Sequence, residues 1–178
     1  RVAQIAAEAK RVDIIEQFKG VNRLFVAGST WGPDEELLIK LANDNPQIKF
    51  VIAPHEMEEQ RMAKIERSVS GGAIRYTNYQ GDASAQVLIL NTMGMLSSVY
   101  RYAEFSYIGG GFGVGIHNTL EAATFGLPIA FGPNYQKFKE ARDMIALGGA
   151  TSVVDYQQLE VWFKPLVTNE EHRVAVSE

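Results

Sequence analysis

Residues 105–118 read FSYIGGGFGVGIHN, and this is the most informative stretch of the sequence. The apolar run at 105–108 has the composition of a strand, five of the next ten residues are glycine, and TLEAATF at 119–125 has the composition of a helix. A glycine-rich loop between a strand and a helix places backbone N–H groups at the positive end of the helix dipole, which suits a phosphate group. A flexible surface turn is the alternative, but glycines clustered in this position favour close approach of the backbone to a ligand.

Outward from this loop, short apolar runs alternate with helical patterns along the whole chain. Nearly continuous apolar strands that alternate with helices indicate a parallel sheet covered on both faces. The predicted fold class is therefore α/β, a Rossmann-like parallel sheet with helices on both faces. We predict strands at 24–27, 50–53, 73–76, 87–90, 105–108 and 128–131, with a further short strand at 151–154. We predict helices at 33–41, 56–68, 95–102, 119–125 and 137–147.

Length and composition predict one domain over residues 1–178, with helical segments from about residue 156. The net charge of −4 argues against nucleic-acid binding, because a face that binds nucleic acid is normally basic. The absence of cysteine excludes disulfides and fits a cytoplasmic compartment, and the three widely spaced histidines form no metal-ligand pattern. We therefore expect no metal and no cofactor. The chain begins in a helical pattern without methionine, so we also expect it to be part of a longer protein.

The most unusual segments of the sequence are the loops that follow the predicted strands. Rossmann-like domains bind ligands at the carboxyl ends of their strands, so we expect the site there. GFGVGI at 111–116 contains GxGxG rather than GxGxxG, and no acid follows at the ribose-binding distance, which argues against NAD. The P-loop signature is absent as well. The loops in question are 28–30, 54–56, 91–94, 109–118 and 132–134.

Several residues in and near these loops are compatible with two interpretations each. Glu121 fits either an acceptor for ribose hydroxyls or a capping box with Asn118. The loop at 28–30 fits either a helix cap or an anion-facing loop, and His55 fits either an ordinary loop histidine or a ligand contact. We interpret the charged residues of 56–67, Arg61 among them, as a solvated helix face.

Five short motifs together resemble the carboxyl-terminal domain of the 3-deoxy-D-manno-octulosonic acid (Kdo) transferases, which are GT-B glycosyltransferases. Each motif alone is weak, whereas their order and spacing are specific, and the resemblance extends from the start to about Asp155. It implies that the fold is the carboxyl-terminal half of a GT-B fold. The motifs are GSTW at 28–31, APHE at 53–56, GGG at 109–111, GIHNTLE at 115–121 and FGPNYQKF at 131–138.

The resemblance implies a function in lipopolysaccharide biosynthesis. Kdo transferases move Kdo from CMP-Kdo to a lipid A precursor at the cytoplasmic face of the inner membrane. Their amino-terminal domain carries the membrane contact, the acceptor site and a glutamate general base, and their carboxyl-terminal domain binds the CMP moiety. Because this chain resembles only the second domain, we expect the acceptor domain and the catalytic base to be absent from it. We expect the chain alone to be inactive as a transferase.

The resemblance also implies roles for individual residues. It assigns the CMP phosphate to the loop Gly109–Asn118 and the ribose to Glu121. It assigns the nucleotide pocket to Pro54, His55 and the turn Met93–Gly94, and it turns Ser29 and Thr30 toward the donor. The full predicted donor-binding set is Ser29, Thr30, Pro54, His55, Met93, Gly94, Gly110, Gly111, Phe112, Gly113, Val114, Gly115, His117, Asn118 and Glu121.

The sequence departs from the common pattern of these transferases at three places. His55 and Glu56 stand where many relatives have Arg-His, Asn91 where they often have an acid, and Met95 where they often have glutamate. Two other functions stay open at this stage: a UDP-sugar-dependent GT-B transferase or epimerase domain, and a non-catalytic nucleotide-binding module. A preference for cytidine nucleotides distinguishes the first hypothesis from both.

Overall fold

The computed structural model describes residues 13–81, 84–116 and 120–168, which form seven strands and seven helices. The strands are β1 (Leu24–Thr30), β2 (Lys49–Pro54), β3 (Ala73–Arg75), β4 (Val87–Ile89), β5 (Phe105–Ile108), β6 (Ile129–Phe131) and β7 (Ala150–Ser152). The helices are α1 (13–19), α2 (Gly32–Asp44), α3 (Glu59–Ser68), α4 (Leu96–Tyr100), α5 (Leu120–Thr124), α6 (Lys139–Ala146) and α7 (Tyr156–Thr168), with a 3-10 turn at Tyr76–Asn78.

The strands form one parallel sheet in the order β3-β4-β2-β1-β5-β6-β7. From β1 the chain adds β2, then the edge strand β3, then β4 between β2 and β3. It then returns to the other side of β1 and adds β5, β6 and β7 outward in that order. The topological switch point therefore lies between β1 and β5, where a crevice opens beyond the carboxyl ends of the strands. The predicted fold class is confirmed.

Both faces of the sheet are covered, because successive side chains of a strand point to opposite faces. Leu24 and Val26 of β1 pack in one layer with α1, α4, α5 and α6. Phe25 and Ala27 pack in the other layer with α2, α3 and α7. In that second layer the Phe25 ring stacks on Phe50 at a centroid distance of 5.0 Å. Burial on both faces explains why the central strands read as nearly continuous apolar runs.

The predicted elements are all present, and their bounds differ by a few residues. The predicted helix at 56–68 begins at Glu59, and the one at 137–147 covers Lys139–Ala146. Helix α7 packs on α2, where the Tyr156 hydroxyl donates to Asp44 at 2.5 Å. Among the helices of the described residues, none has the length and apolar character required to cross a bilayer.

Candidate functional site

The ends of β1 and β5 touch through their backbones at the switch point. Ser29 has a φ of +55°, and the register of β1 shifts between Gly28 and Thr30, so the strand bulges as it ends. The Gly109 N–H donates to the Gly28 carbonyl at 2.8 Å. A Cβ atom on Gly109 would overlap the Ser29 carbonyl oxygen and lie 2.6 Å from the Thr30 Cα. Only glycine fits at this position.

A second backbone contact joins the glycine loop to the loop after β6. A Cβ atom on Gly111 would lie 2.6 Å from both N and Cα of Gly132. The Asn134 N–H donates to the Gly111 carbonyl at 2.8 Å, and the Asn134 side-chain amide donates to the Gly113 carbonyl at 2.5 Å. The loops after β1, β5 and β6 therefore form one connected unit.

In the described part of the glycine loop, residues 109–116, five of the eight N–H groups already have acceptors inside the protein. The N–H groups of Gly111, Phe112 and Val114 donate to no acceptor among the described residues. The loop therefore offers a few N–H groups as donors to a ligand, whereas the sequence suggested that its N–H groups would be available throughout. The engaged groups are those of Gly109 (to Gly28 O), Gly110 (to Asp34 Oδ2), Gly113 and Gly115 (both to Gly110 O) and Ile116 (to Asn134 O).

Asp34, in the first turn of α2, is a buried acid that the sequence did not single out. Its Oδ2 accepts the N–H groups of Trp31 at 2.9 Å and Gly110 at 3.1 Å, and its Oδ1 accepts the Tyr107 hydroxyl at 2.5 Å. Burial raises the pKa of Asp34, and these three hydrogen bonds lower it in part. Burial, reinforced by the Asp34 charge, also raises the pKa of the Tyr107 hydroxyl. An acid in the first turn of a helix is normally explained by its favourable interaction with the helix dipole. The sequence pattern therefore gave no indication of the hydrogen-bond donors to Asp34.

Thr30 and Arg61 meet at the neighbouring acid, Glu35. The Thr30 hydroxyl donates to Glu35 at 2.8 Å and Thr30 is fully buried, while its predicted contact with the donor stays a prediction. Arg61 of α3 donates to both Glu35 oxygens, at 3.0 and 2.7 Å, and to the Thr30 carbonyl at 2.8 Å. The interpretation of Arg61 as part of a solvated face is wrong, because its side chain is only 15% exposed.

The Trp31 ring contacts both His55 and Arg61. Its ring centroid is 4.6 Å from that of His55, and the Arg61 guanidinium lies 5.6 Å from the Trp31 ring. The backbone N–H of His55 donates to the Thr30 carbonyl at 2.9 Å, and the His55 side chain is exposed. His55 is thus placed beside the β1 loop at the edge of the site, whereas Pro54 before it is buried.

Two adjoining cavities lie along the glycine loop and share Gly113 and Val114. Several of the predicted donor-binding residues line these cavities, together with Trp31 and Pro33 from the start of α2. The first, of about 320 Å³, is lined by Trp31, Pro33, Asp34, Gly110, Phe112, Gly113 and Val114. The second, of about 260 Å³, is lined by Gly113, Val114, Gly115, Asn134, Gln136, Lys137 and Phe138.

The remaining predicted residues lie in the loop after β4 or outside the described residues. Met93 and Gly94 are exposed in the loop after β4, two strands away from β1, and Gly94 has a φ of +80°. His117 and Asn118 lie outside the described residues, and Glu121 is described only as a position in α5. The structure thus brings Ser29, His55 and the glycine loop together and leaves Met93 and Gly94 at the far side.

The fold and this site define a Rossmann-like α/β domain with a candidate ligand site at the carboxyl ends of its strands. The crystal structure of the C-terminal CMP-Kdo binding domain of WaaA from Acinetobacter baumannii matches with a TM-score of 0.76 at 22% identity, over 97% of this chain and 95% of that one. UDP-GlcNAc 2-epimerase from Neisseria meningitidis bound to UDP-GlcNAc matches with a TM-score of 0.62 at 16% identity, over 94% of this chain and 44% of that one. At these identities the likeness shows the fold.

Sequence comparison confirms the predicted resemblance to the 3-deoxy-D-manno-octulosonic acid transferases. The enzyme of that name from Aquifex aeolicus is 25% identical over 146 residues, which cover 77% of this chain and 40% of the relative. The one from Chlamydophila psittaci is 27% identical over 160 residues, which cover 86% of this chain and 36% of the relative. No protein-family model matches the chain. With 40% and 36% of the two relatives covered, the chain spans less than half of their length.

Proposed function

We propose that this chain is the donor-binding part of a glycosyltransferase that transfers Kdo from CMP-Kdo to a lipid A precursor. The observation that carries the proposal is that relatives named as Kdo transferases match most of the chain. The likeness of the fold to a CMP-Kdo binding domain over nearly its whole length supports it.

The glycine loop is suited to the phosphate of CMP. The N–H groups of Gly111, Phe112 and Val114 lack acceptors among the described residues. Phe112 and Val114 line the first cavity, and the buried Gly111 lies between two of its lining residues, Gly110 and Phe112. Transfer of the sugar leaves negative charge on the departing nucleotide phosphate. Fixed backbone donors stabilise such charge without reorganising, because their positions are set by the fold.

The nucleoside is proposed to extend from the phosphate across the carboxyl edge of the sheet. Glu121, in the first turn of α5, accepts the ribose hydroxyls in this proposal. Pro54, His55 and the Met93–Gly94 turn border the base, and Ser29 lies near the donor. The exposure of His55, Met93 and Gly94 leaves these groups accessible to a ligand.

The acceptor and the membrane belong to the proposal for the whole protein. A lipid A precursor, contact with the cytoplasmic face of the inner membrane and a general base are all assigned to a further domain outside the described residues. The isolated chain is then expected to bind donor nucleotide and to form no product. A coupled assay with CMP-Kdo and a lipid A precursor tests this, and measurable turnover by this chain alone would contradict the division of roles.

Nucleotide preference tests the proposed function itself. Calorimetric titration of the chain with CMP, UMP, UDP and NAD should show CMP binding at least about tenfold tighter than each of the others, a difference of about 1.4 kcal/mol. Tighter binding of UDP would favour an epimerase-like or UDP-sugar-dependent domain, for which the shared fold is the supporting observation. Equal binding of all four would favour a module without sugar-donor selectivity.

A further inference from the structure

We propose that Asp34 is a positioning residue for the glycine loop. Its buried carboxylate holds the loop in the conformation that leaves the N–H groups of Gly111, Phe112 and Val114 free for a phosphate. The inference rests on the proposed function, because it concerns how that phosphate site is held in shape.

Asp34 joins three separate parts of the fold. Its donors are the Gly110 N–H in the loop, the Trp31 N–H at the start of α2 and the Tyr107 hydroxyl on β5. The side chain is 1% exposed, so water does not replace these partners. An ionised carboxylate only accepts hydrogen bonds and has room for several, and it can therefore satisfy all three donors at once.

Gly110 transmits this anchoring to the free donors. Its φ of +97° is a conformation that glycine adopts readily, and its carbonyl accepts the N–H groups of Gly113 and Gly115, both at 3.1 Å. Gly110 is thus held at its N–H by Asp34 and at its carbonyl by the loop itself. In a trans peptide the C=O and the following N–H point in opposite directions. With the Gly110 carbonyl turned into the loop, the Gly111 N–H is turned out of it.

The other attachment of the loop is of a different kind. Asn134 contacts the carbonyls of Gly111 and Gly113 from an exposed position on the loop after β6. Asp34 instead attaches the loop to a long helix beneath it. Loss of the Asp34 carboxylate should therefore release the N-terminal end of the loop and disorder the direction of its free N–H groups.

Two substitutions at Asp34 and one control separate positioning from general stability. Asp34→Asn keeps an acceptor for the two N–H groups, and Asp34→Leu keeps the branched shape of the side chain, with larger terminal groups and no acceptor. Ser106→Ala is the control, because it removes a fully buried hydroxyl on β5 that donates to Pro128 away from the loop. For each protein we would measure the melting temperature, hydrogen exchange of the Gly110 amide, and CMP affinity by calorimetry.

Asp34→Leu should weaken CMP binding at least about tenfold and expose the Gly110 amide to exchange, whereas Asp34→Asn should weaken binding less than about threefold. Ser106→Ala should lower the melting temperature and leave CMP affinity within about twofold. The proposal is overturned if folded Asp34→Leu binds CMP as the wild type does. It is also overturned if Ser106→Ala weakens binding as strongly as Asp34→Leu, because the effect would then follow stability alone.

Amide exchange in the wild-type chain decides the matter if Asp34→Leu does not fold. A protected Gly110 amide beside rapidly exchanging amides of Gly111, Phe112 and Val114 supports the proposal, and a rapidly exchanging Gly110 amide overturns it. If the wild type does not bind CMP, the proposed function fails, while this exchange pattern still tests whether Asp34 anchors the loop.

Discussion

The two sides of the candidate site are built in different ways. At the switch point backbone packs on backbone: Gly109 lies against the end of β1, and Gly111 lies against Gly132. On the side of β3 and β4 the loops are joined by side chains, where Asn91 and Thr77 exchange two hydrogen bonds at 2.9 and 3.2 Å. Backbone packed on backbone leaves no room for a larger residue at Gly109 or Gly111. Loops joined by side chains can accommodate substitutions.

This difference suits two separate tasks in nucleotide binding. The phosphate is common to all nucleotides, and a rigid cradle of N–H groups recognises it without side chains. The base differs between nucleotides, and we propose that it is bordered by exposed side chains such as Met93, which is 79% exposed and can adapt its conformation. Substitutions at the switch point should therefore damage the fold, whereas those on the β4 side should change affinity alone.

The largest expected effect comes from filling the contact between Gly111 and Gly132. Gly111→Val places new atoms inside the Gly132 backbone, and we expect a loss of about 4 kcal/mol or more in the free energy of unfolding. Gly113→Ala is the matched control, because its Cβ would meet nothing closer than the Gly110 carbonyl oxygen at 3.9 Å. The control should cost less than about 0.5 kcal/mol in urea unfolding. Similar losses for both variants would show that the loop is not tightly packed.

The next largest effect should follow removal of Arg61. Arg61→Ala leaves Glu35, whose side chain is 5% exposed, without its charge partner, and we expect a loss of about 3 kcal/mol. Lys64→Ala is the matched control on the same helix, because the pair of Lys64 with Glu36 is exposed and should contribute less than about 1 kcal/mol. Urea unfolding of both variants makes the comparison. Equal losses would mean that Arg61 and Glu35 behave as a surface pair.

A pH-dependent effect of intermediate size is expected at Asp34. The pKa of this group in the folded protein lies above its ordinary value of 3.8, mainly because of burial. A raised folded pKa contributes stability that is present below the unfolded pKa and is lost as pH rises through the folded pKa. The stability of the wild type relative to Asp34→Asn should therefore fall as pH rises above about 4. Urea unfolding of both proteins across this range measures the difference, and a difference that grows with pH would contradict the assignment.

The smallest effect on stability should come from Met93 on the β4 side. Met93→Ala removes an exposed side chain and should change the free energy of unfolding by less than about 0.5 kcal/mol. If Met93 borders the base, as proposed, the same variant should still weaken CMP binding by about threefold, because buried apolar contact with the ligand is lost. Calorimetry compares the two proteins, with Val161→Ala as a control on exposed α7 surface. Unchanged affinity for Met93→Ala would place the base elsewhere.

The sequence predicted the elements and the sheet well because apolar periodicity is a local signal. Val87–Ile89 is a continuous apolar run and Phe105–Ile108 is interrupted only by Ser106, and both are buried strands. The contacts that shape the site are not local. Arg61 meets Glu35 across 26 positions, and Gly110 meets Asp34 across 76. Such pairs are brought together by the parallel crossovers, and no spacing in one sequence records them.

Mapping of backbone amides during nucleotide titration tests the central claim most directly. With CMP, the largest chemical-shift changes should fall on Gly111, Phe112 and Val114, because we propose that their N–H groups receive the phosphate. Cytidine, which has no phosphate, should leave these three amides nearly unchanged while still shifting those near Met93. Binding of CMP with no change at Gly111, Phe112 and Val114 would contradict the assignment of the phosphate to the glycine loop.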